Sequence, residues 1–147
     1  MINDVIVKDD RTVIDKLIAD YDNFNVEYNI GLFDSTDSEE AQKGIYNEFG
    51  TSTAPPRPFI EPTILSNEKF LIKKIESELK KLSNPNIFLN DLANIMLNKT
   101  RNKIDKMKYP VLSAATIERK GHAKLLKDTY KMYNAIKIIK IKGKEGE

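Results

Sequence analysis

Few residues in this chain have the side-chain chemistry that catalysis needs. Its one histidine, His122, sits in the polar turn "RKGHAK" with no acidic neighbour in sequence. An imidazole in that setting reads as a solvated loop residue rather than a base or a ligand. The acidic run "DSTDSEE" has carboxylates for a divalent cation, but not the order of oxygen ligands and glycine that a calcium loop requires. Negative charge at the start of a helix explains it more simply. Thr100, Ser113 and Thr116 are hydroxyls among basic residues, with nothing marking a general base for them. The six glycines are scattered, so no G-x-G-x-x-G or G-x-x-x-x-G-K-[ST] phosphate loop occurs. With no cysteine there is no thiolate nucleophile, thiolate metal site or disulfide. The expectation is a protein that is not an enzyme, with no catalytic, metal or cofactor-binding residues and no cofactor.

Charge offers more. The net charge is +2, yet residues 1–64 carry five Lys/Arg against thirteen Asp/Glu, a net −8, and the remainder carries nineteen against nine, a net +10. The basic half interleaves lysine with tyrosine in "KTRNKIDKMKYP" and "KDTYKMYNAIKIIKIKGK". A basic stripe of that kind is enough for contact with a nucleic-acid backbone. Lysine beside an apolar stripe is also the ordinary polar face of a helix, and that reading is preferred. The split equally suits a subunit that meets its own copies or its neighbours through surfaces of opposite charge.

The elements that would position these residues follow from periodicity. At 147 residues, 40% hydrophobic and 31% charged, the chain has the size and composition of one globular domain. We expect a single α+β domain over 1–142 and a frayed tail at 143–147. No run of eighteen apolar residues and no basic-then-apolar N-terminus occurs, so neither a membrane span nor a signal peptide is expected.

After the apolar run Val5-Ile6-Val7, "DDRTVIDKLIADYD" places Val13, Ile14, Leu17, Ile18 and Tyr21 at helical spacing, with Asp9 or Asp10 as N-cap. "FNVEYNIGLF" alternates as a strand, with Phe24, Val26, Tyr28, Ile30 and Leu32 on one face. Thr36 and Glu39 match a capping box opening a short helix, with Ala41, Ile45 and Phe49 on one side and Gly50 as its stop. Pro55, Pro56 and Pro58 stiffen the loop that follows.

A helix is expected from about Thr63 to Leu82, with Leu71, Ile75, Leu79 and Leu82 as its stripe. "SNPN" breaks it, and a second from about Asn86 to Met107, carrying Leu89, Leu92, Ala93, Met96 and Ile104, should pack antiparallel against the first. A short helix from Ser113 to Lys120 stopped by Gly121, a brief helix opening at Asp128 and a strand from Lys137 to Lys142 complete the chain. The apolar residues of that strand change face midway, which predicts a bulge or a shifted boundary. The fold class is α+β: a small mixed or antiparallel sheet packed by two long antiparallel helices plus short helices.

Two segments carry a resemblance. "YNEFGTSTAPPRPFIEPTI" resembles the Tyr-x-x-Glu-Phe-Gly-Thr and Pro-x-Arg-Pro-Phe-Leu-x-Pro signature of tail-completion and neck-type structural proteins of tailed bacteriophages. "LSAATIERKGHAKLLKDTYKM" is similar to their second signature, Leu-x-x-x-Thr-Ile-x-Arg-Lys-Gly followed by Leu-x-Asp-Thr-Gly-x-Leu. The match extends from about Val26 to Ile141. It departs at Tyr130, where the family has glycine, and at Met132, where it has leucine. Tyrosine resists the backbone angle that glycine permits, so the turn there is expected to differ.

The resemblance implies a non-enzymatic virion component at the neck or head-proximal end of the tail, present in host cytoplasm during assembly. It implies a homo-oligomeric ring, commonly six-fold, as a hexamer or dodecamer, with other neck, connector and tail proteins as partners and no membrane. A neck ring surrounds the genome's exit path, which leaves room for non-specific contact with DNA in its lumen. The alternative is a small basic nucleic-acid-binding accessory protein that uses the lysine-rich C-terminal half. Glu48, Phe49, Arg57, Pro58 and Phe59 of the first signature, with Arg119 and Lys120 of the second, are the interface candidates. A stiff Pro-Arg-Pro-Phe arm presents Arg57 and Phe59 at low ordering cost. The competing reading buries Phe49 and Phe59 in the subunit's own core and pairs Arg57 with Glu48.

Overall fold

The structure is a computed structural model that describes residues 11–22, 24 and 26–142. The apolar run at 5–7, the candidate caps Asp9 and Asp10 and the tail at 143–147 lie outside the described residues. The elements in order are α1 (Arg11–Asp22), β1 (Val26–Gly31), α2 (Ser38–Phe49), α3 (Glu61–Lys80), α4 (Pro85–Lys106), α5 (Ala114–Lys120), α6 (Lys131–Ala135) and β2 (Lys137–Lys142). The class is α+β with long helices, and its sheet is antiparallel: β1 pairs with β2 from Val26↔Lys142 to Gly31↔Lys137.

That register advances one residue for one, so the strand holds no bulge. The apparent change of face arises because Ile136 caps α6 and precedes the strand; its burial does not set the strand's alternation.

α4 is the central element. Asn84 caps it by accepting from the Asn86 N–H, Pro85 opens it, and Phe88, Leu92, Ala93, Met96, Thr100 and Ile104 form its buried face. Val26, Tyr28 and Ile30 of β1 face Leu89, Leu92, Ala93 and Met96, with Leu71 and Ile75 of α3 alongside. The predicted stripe of α3 stops there: Leu79 and Leu82 are exposed. The helix ends at Lys80, and Leu82, in a left-handed conformation, carries the chain through the turn to α4. Glu78 closes that turn, accepting from Ser83 Oγ at 2.7 Å and pairing with Lys74 and Lys81 at 3.1 and 3.2 Å. Tyr21 and Asp20 tether α1 to the same turn through the Ser83 carbonyl and the Asn84 amide.

α2 begins one residue later than the capping-box reading. Asp37, not Thr36, accepts from the Glu40 N–H, while the Thr36 hydroxyl donates to the Phe33 carbonyl and closes the preceding turn. Its inward face also differs, since Glu40 and Gly44 are buried whereas Ile45 and Phe49 are exposed. Gly44 is the reason: a Cβ there would run into the end of the Leu32 side chain, so the bare glycine face is the one that approaches.

α6 opens at Lys131 rather than Asp128. Tyr130 turns the chain with φ 60° and ψ 0°, and Asp128 instead pairs with Arg119 at 3.0 Å. Phe59, Ile104, Met132 and Ile136 form the second part of the core, covered by Leu32, Leu97, Leu126 and Tyr133. This cluster joins the proline arm to the end of α4, to α6 and to the entry of β2.

Candidate functional site

The first signature folds into a joint between α2 and α3. Gly50 stops α2 with φ 79°, its N–H donating to the Tyr46 carbonyl. A Cβ there would meet Ala54 O and Pro56 Cδ at 3.0 Å, so conformation and space both favour glycine. Thr51 closes the tight turn beyond: its N–H donates to the Ala54 carbonyl at 2.9 Å and its hydroxyl accepts from the Ala54 N–H at 3.0 Å.

α3 has no side-chain cap of its own, because Ile60 occupies the N-cap position. Glu48 supplies one from the last turn of α2. Its carboxylate accepts from the N–H groups of Phe59, Ile60 and Glu61 at 2.8, 3.1 and 2.8 Å. The N–H groups of Ile60 and Glu61, which the helix leaves without intrahelical partners, and that of Phe59 just before the cap are thereby satisfied by one charged acceptor at the positive end of the helix dipole.

Arg57 therefore does not pair with Glu48. Its N–H donates to the Asn47 carbonyl, its Nε to the Pro110 carbonyl at 3.1 Å and an Nη to the Val111 carbonyl at 3.4 Å. It thus holds the Tyr109-Pro110-Val111 loop, whose Tyr109-Pro110 bond is cis, against the arm. Phe59 is 0% exposed and belongs to the core; Phe49 is 75% exposed. The two phenylalanines of one motif have opposite fates.

Arg57, Arg119 and Lys120 line one groove of about 300 Å³, to which Lys43 and Lys131 add two more cations. Its acids are Glu40, buried and held by Lys43 at 2.9 Å, and Asp128, paired with Arg119. Arg57 and Lys120 donate to backbone carbonyls rather than to carboxylates. Burial above all lowers the affinity of Lys120 for its proton; Asp128 works against this, and Arg119 and Arg57 add to it. Lys43 is pushed the other way by its hydrogen bonds to Glu39 and Glu40. His122 lies outside this groove and accepts through Nδ1 from the Lys124 N–H at 3.3 Å.

Two further surfaces flank α3. On one side an apolar groove of about 440 Å³ runs between α2 and α3, lined by Ile45, Phe49, Ile64 and Leu65 over Leu32 and Ile60, with Glu48 and Glu61 as its charged residues. Pro58 lines a different cleft, of about 670 Å³, with Pro62, Ser66 and Asn67; its charged residues are Lys99, Lys103, Lys106 and Lys108. At about 100° per residue, the α3 residues of the two clefts fall on opposite sides of the helix.

Sequence reasoning missed Lys43, Lys131 and the apolar groove. The i, i+3 spacing of Glu40 and Lys43 was a usable signal, but nothing local relates α2 to α6. Among the described residues, no three His, Cys, Asp or Glu side chains are placed to hold a metal ion, and no helix is long and apolar enough to cross a membrane. No protein-family model matches the chain, and neither the curated proteins nor the solved structures include a significant match to it.

Proposed function

We propose that the chain is a non-enzymatic structural subunit of a tailed-phage virion, assembling as a ring at the neck or head-proximal end of the tail and joining tail to head. The observation that carries this reading is how the first signature is used. Glu48 caps α3, Gly50 turns the chain and Arg57 clamps a distant loop. The side chains of Glu48 and Arg57 are spent on backbone groups of the chain itself, and the three residues together make a stiff joint. A stiff joint that presents unlike surfaces on its two sides suits a ring subunit, whose lateral contacts are heterologous and need two different complementary faces. The resemblance to neck and tail-completion proteins supplies the location, and the opposite charge of the two halves of the chain supplies the complementarity.

Purified virions test it directly. Mass spectrometry of particles is expected to find the chain in stoichiometric amounts, and imaging to place it on the symmetry axis where tail meets head. A chain absent from particles would overturn the reading.

A second reading, nucleic-acid binding, is favoured by the lysine-lined cleft beside α4. It expects affinity for arbitrary DNA that falls steeply as salt rises. An affinity indifferent to salt, or no binding at low salt, removes it.

A further inference from the structure

We infer that the apolar groove between α2 and α3 receives Tyr109 and Val111 of a second copy of this chain, in a head-to-tail contact. The inference rests on the ring reading above and adds which surfaces meet. The groove presents Ile45, Phe49, Ile64 and Leu65, all exposed large apolar side chains, as one continuous strip. Contiguous apolar surface of this kind marks an interaction site. The matching knob lies on the same molecule, because Tyr109 and Val111 are 77% and 67% exposed and project from a loop whose carbonyls Arg57 holds. A tyrosine presented on a fixed loop is the sort of residue that anchors an interface, and the clamp lowers the ordering cost of docking.

Charge selects the pairing. The charged residues lining the groove are glutamates, Glu48 and Glu61, whereas those of the cleft beneath the knob are lysines. Knob against groove brings lysines to glutamates; groove against groove, or knob against knob, brings like charges together. Geometry selects the symmetry. The groove and the lysine cleft that Tyr109 lines lie on opposite sides of α3, which favours a contact that passes from copy to copy into a ring or an open chain over one that closes as a two-fold pair. Arg57 then supports the contact from behind, by holding the knob, rather than touching the neighbour.

The chain has no cysteine, so single thiols report the contact cleanly. Glu61→Cys marks the rim of the groove and Lys108→Cys the rim of the knob, both on exposed side chains, while Glu48 on one face and Lys99, Lys103 and Lys106 on the other keep the charge selection. The two full-length variants are mixed at high concentration and oxidised, and the double variant is oxidised within particles. The expected result is a mixed 61–108 disulfide in several-fold excess over either homodimer, with the double variant forming a ladder of multimers. Adding Tyr109→Asp to the knob variant, or Phe49→Asp to the groove variant, is expected to remove the mixed product while circular dichroism shows an unchanged fold.

A dominant 61–61 product would overturn the inference in favour of a two-fold groove contact. So would a mixed product no more abundant than chance, or no cross-link either in solution or in particles. A mixed cross-link from a chain that particles lack would support this contact and sink the virion placement. A chain present in particles that gives no mixed product there would do the reverse.

Discussion

Glu48 does for α3 what Ile60, at the helix's own N-cap position, cannot, and the bonds it makes set the scale of its removal. Glu48→Ala leaves the N–H groups of Phe59, Ile60 and Glu61 without their acceptor. The expected cost is about 1–3 kcal/mol, read as a lower urea midpoint with an unchanged denaturant slope; Glu48→Gln should recover part of it. Tyr130 is the other residue whose backbone decides its behaviour. In sequence it stands where the proteins this chain resembles carry glycine, and its backbone takes a left-handed angle, φ 60°, of the kind that favours glycine. Its ring packs edge-on against Tyr133 at 6.3 Å and its hydroxyl accepts from Lys124 at 3.2 Å, contacts that hold the strained backbone in place. Tyr130→Gly and Tyr130→Ala lose the same contacts, but only glycine relieves the angle. The glycine variant is therefore expected to be the more stable of the two by about 1 kcal/mol, measured by thermal or urea unfolding.

Most elements were legible because their ends are written in local chemistry: Asn84-Pro85 for α4, Ser113 and Gly121 for α5, Gly50 for the stop of α2. The inward face of α2 was not, since it is chosen by Gly44 against Leu32, twelve residues away in sequence, and no periodicity encodes that approach. The turn between α3 and α4 is an element-scale device with a titratable lock. Hydrogen bonds from Ser83, Lys74 and Lys81 hold the Glu78 carboxyl down to about 2, below its ordinary value of 4.5. A depressed carboxyl contributes stability that is complete above about pH 4.5 and lost as pH falls towards 2. Glu78→Gln is accordingly expected to be less stable than the parent at pH 7, with the difference shrinking through that window. Urea midpoints of both proteins at pH 7, 4 and 2.5 check it, and a constant difference would refute it.

At the scale of the whole molecule, the proline arm separates two roles that the motif alone could not. Phe59 is wholly buried where the arm meets α4, α6 and the entry to β2, so Phe59→Ala is expected to cost about 3–5 kcal/mol. Phe49→Ala, at an exposed position, is expected to stay within about 0.5 kcal/mol of the parent while weakening assembly. Unfolding curves for the first, and particle size at high concentration for both, distinguish a core residue from a contact residue. From sequence the two were equivalent, because one aromatic beside glycine and another beside proline show no difference in burial until α4 and α6 are in place. The sheet adds a matter of timing. Glu48 and the N–H groups it receives lie within a short stretch, so the α2–α3 joint can form while the ribosome is still making α4. β1, whose partner among the described residues is the segment 137–142, must wait until that distant segment has been made before those hydrogen bonds close. The nascent protein thus holds a capped α2–α3 joint while the β1 edge that β2 will cover is still open, and β2 is the element that covers it.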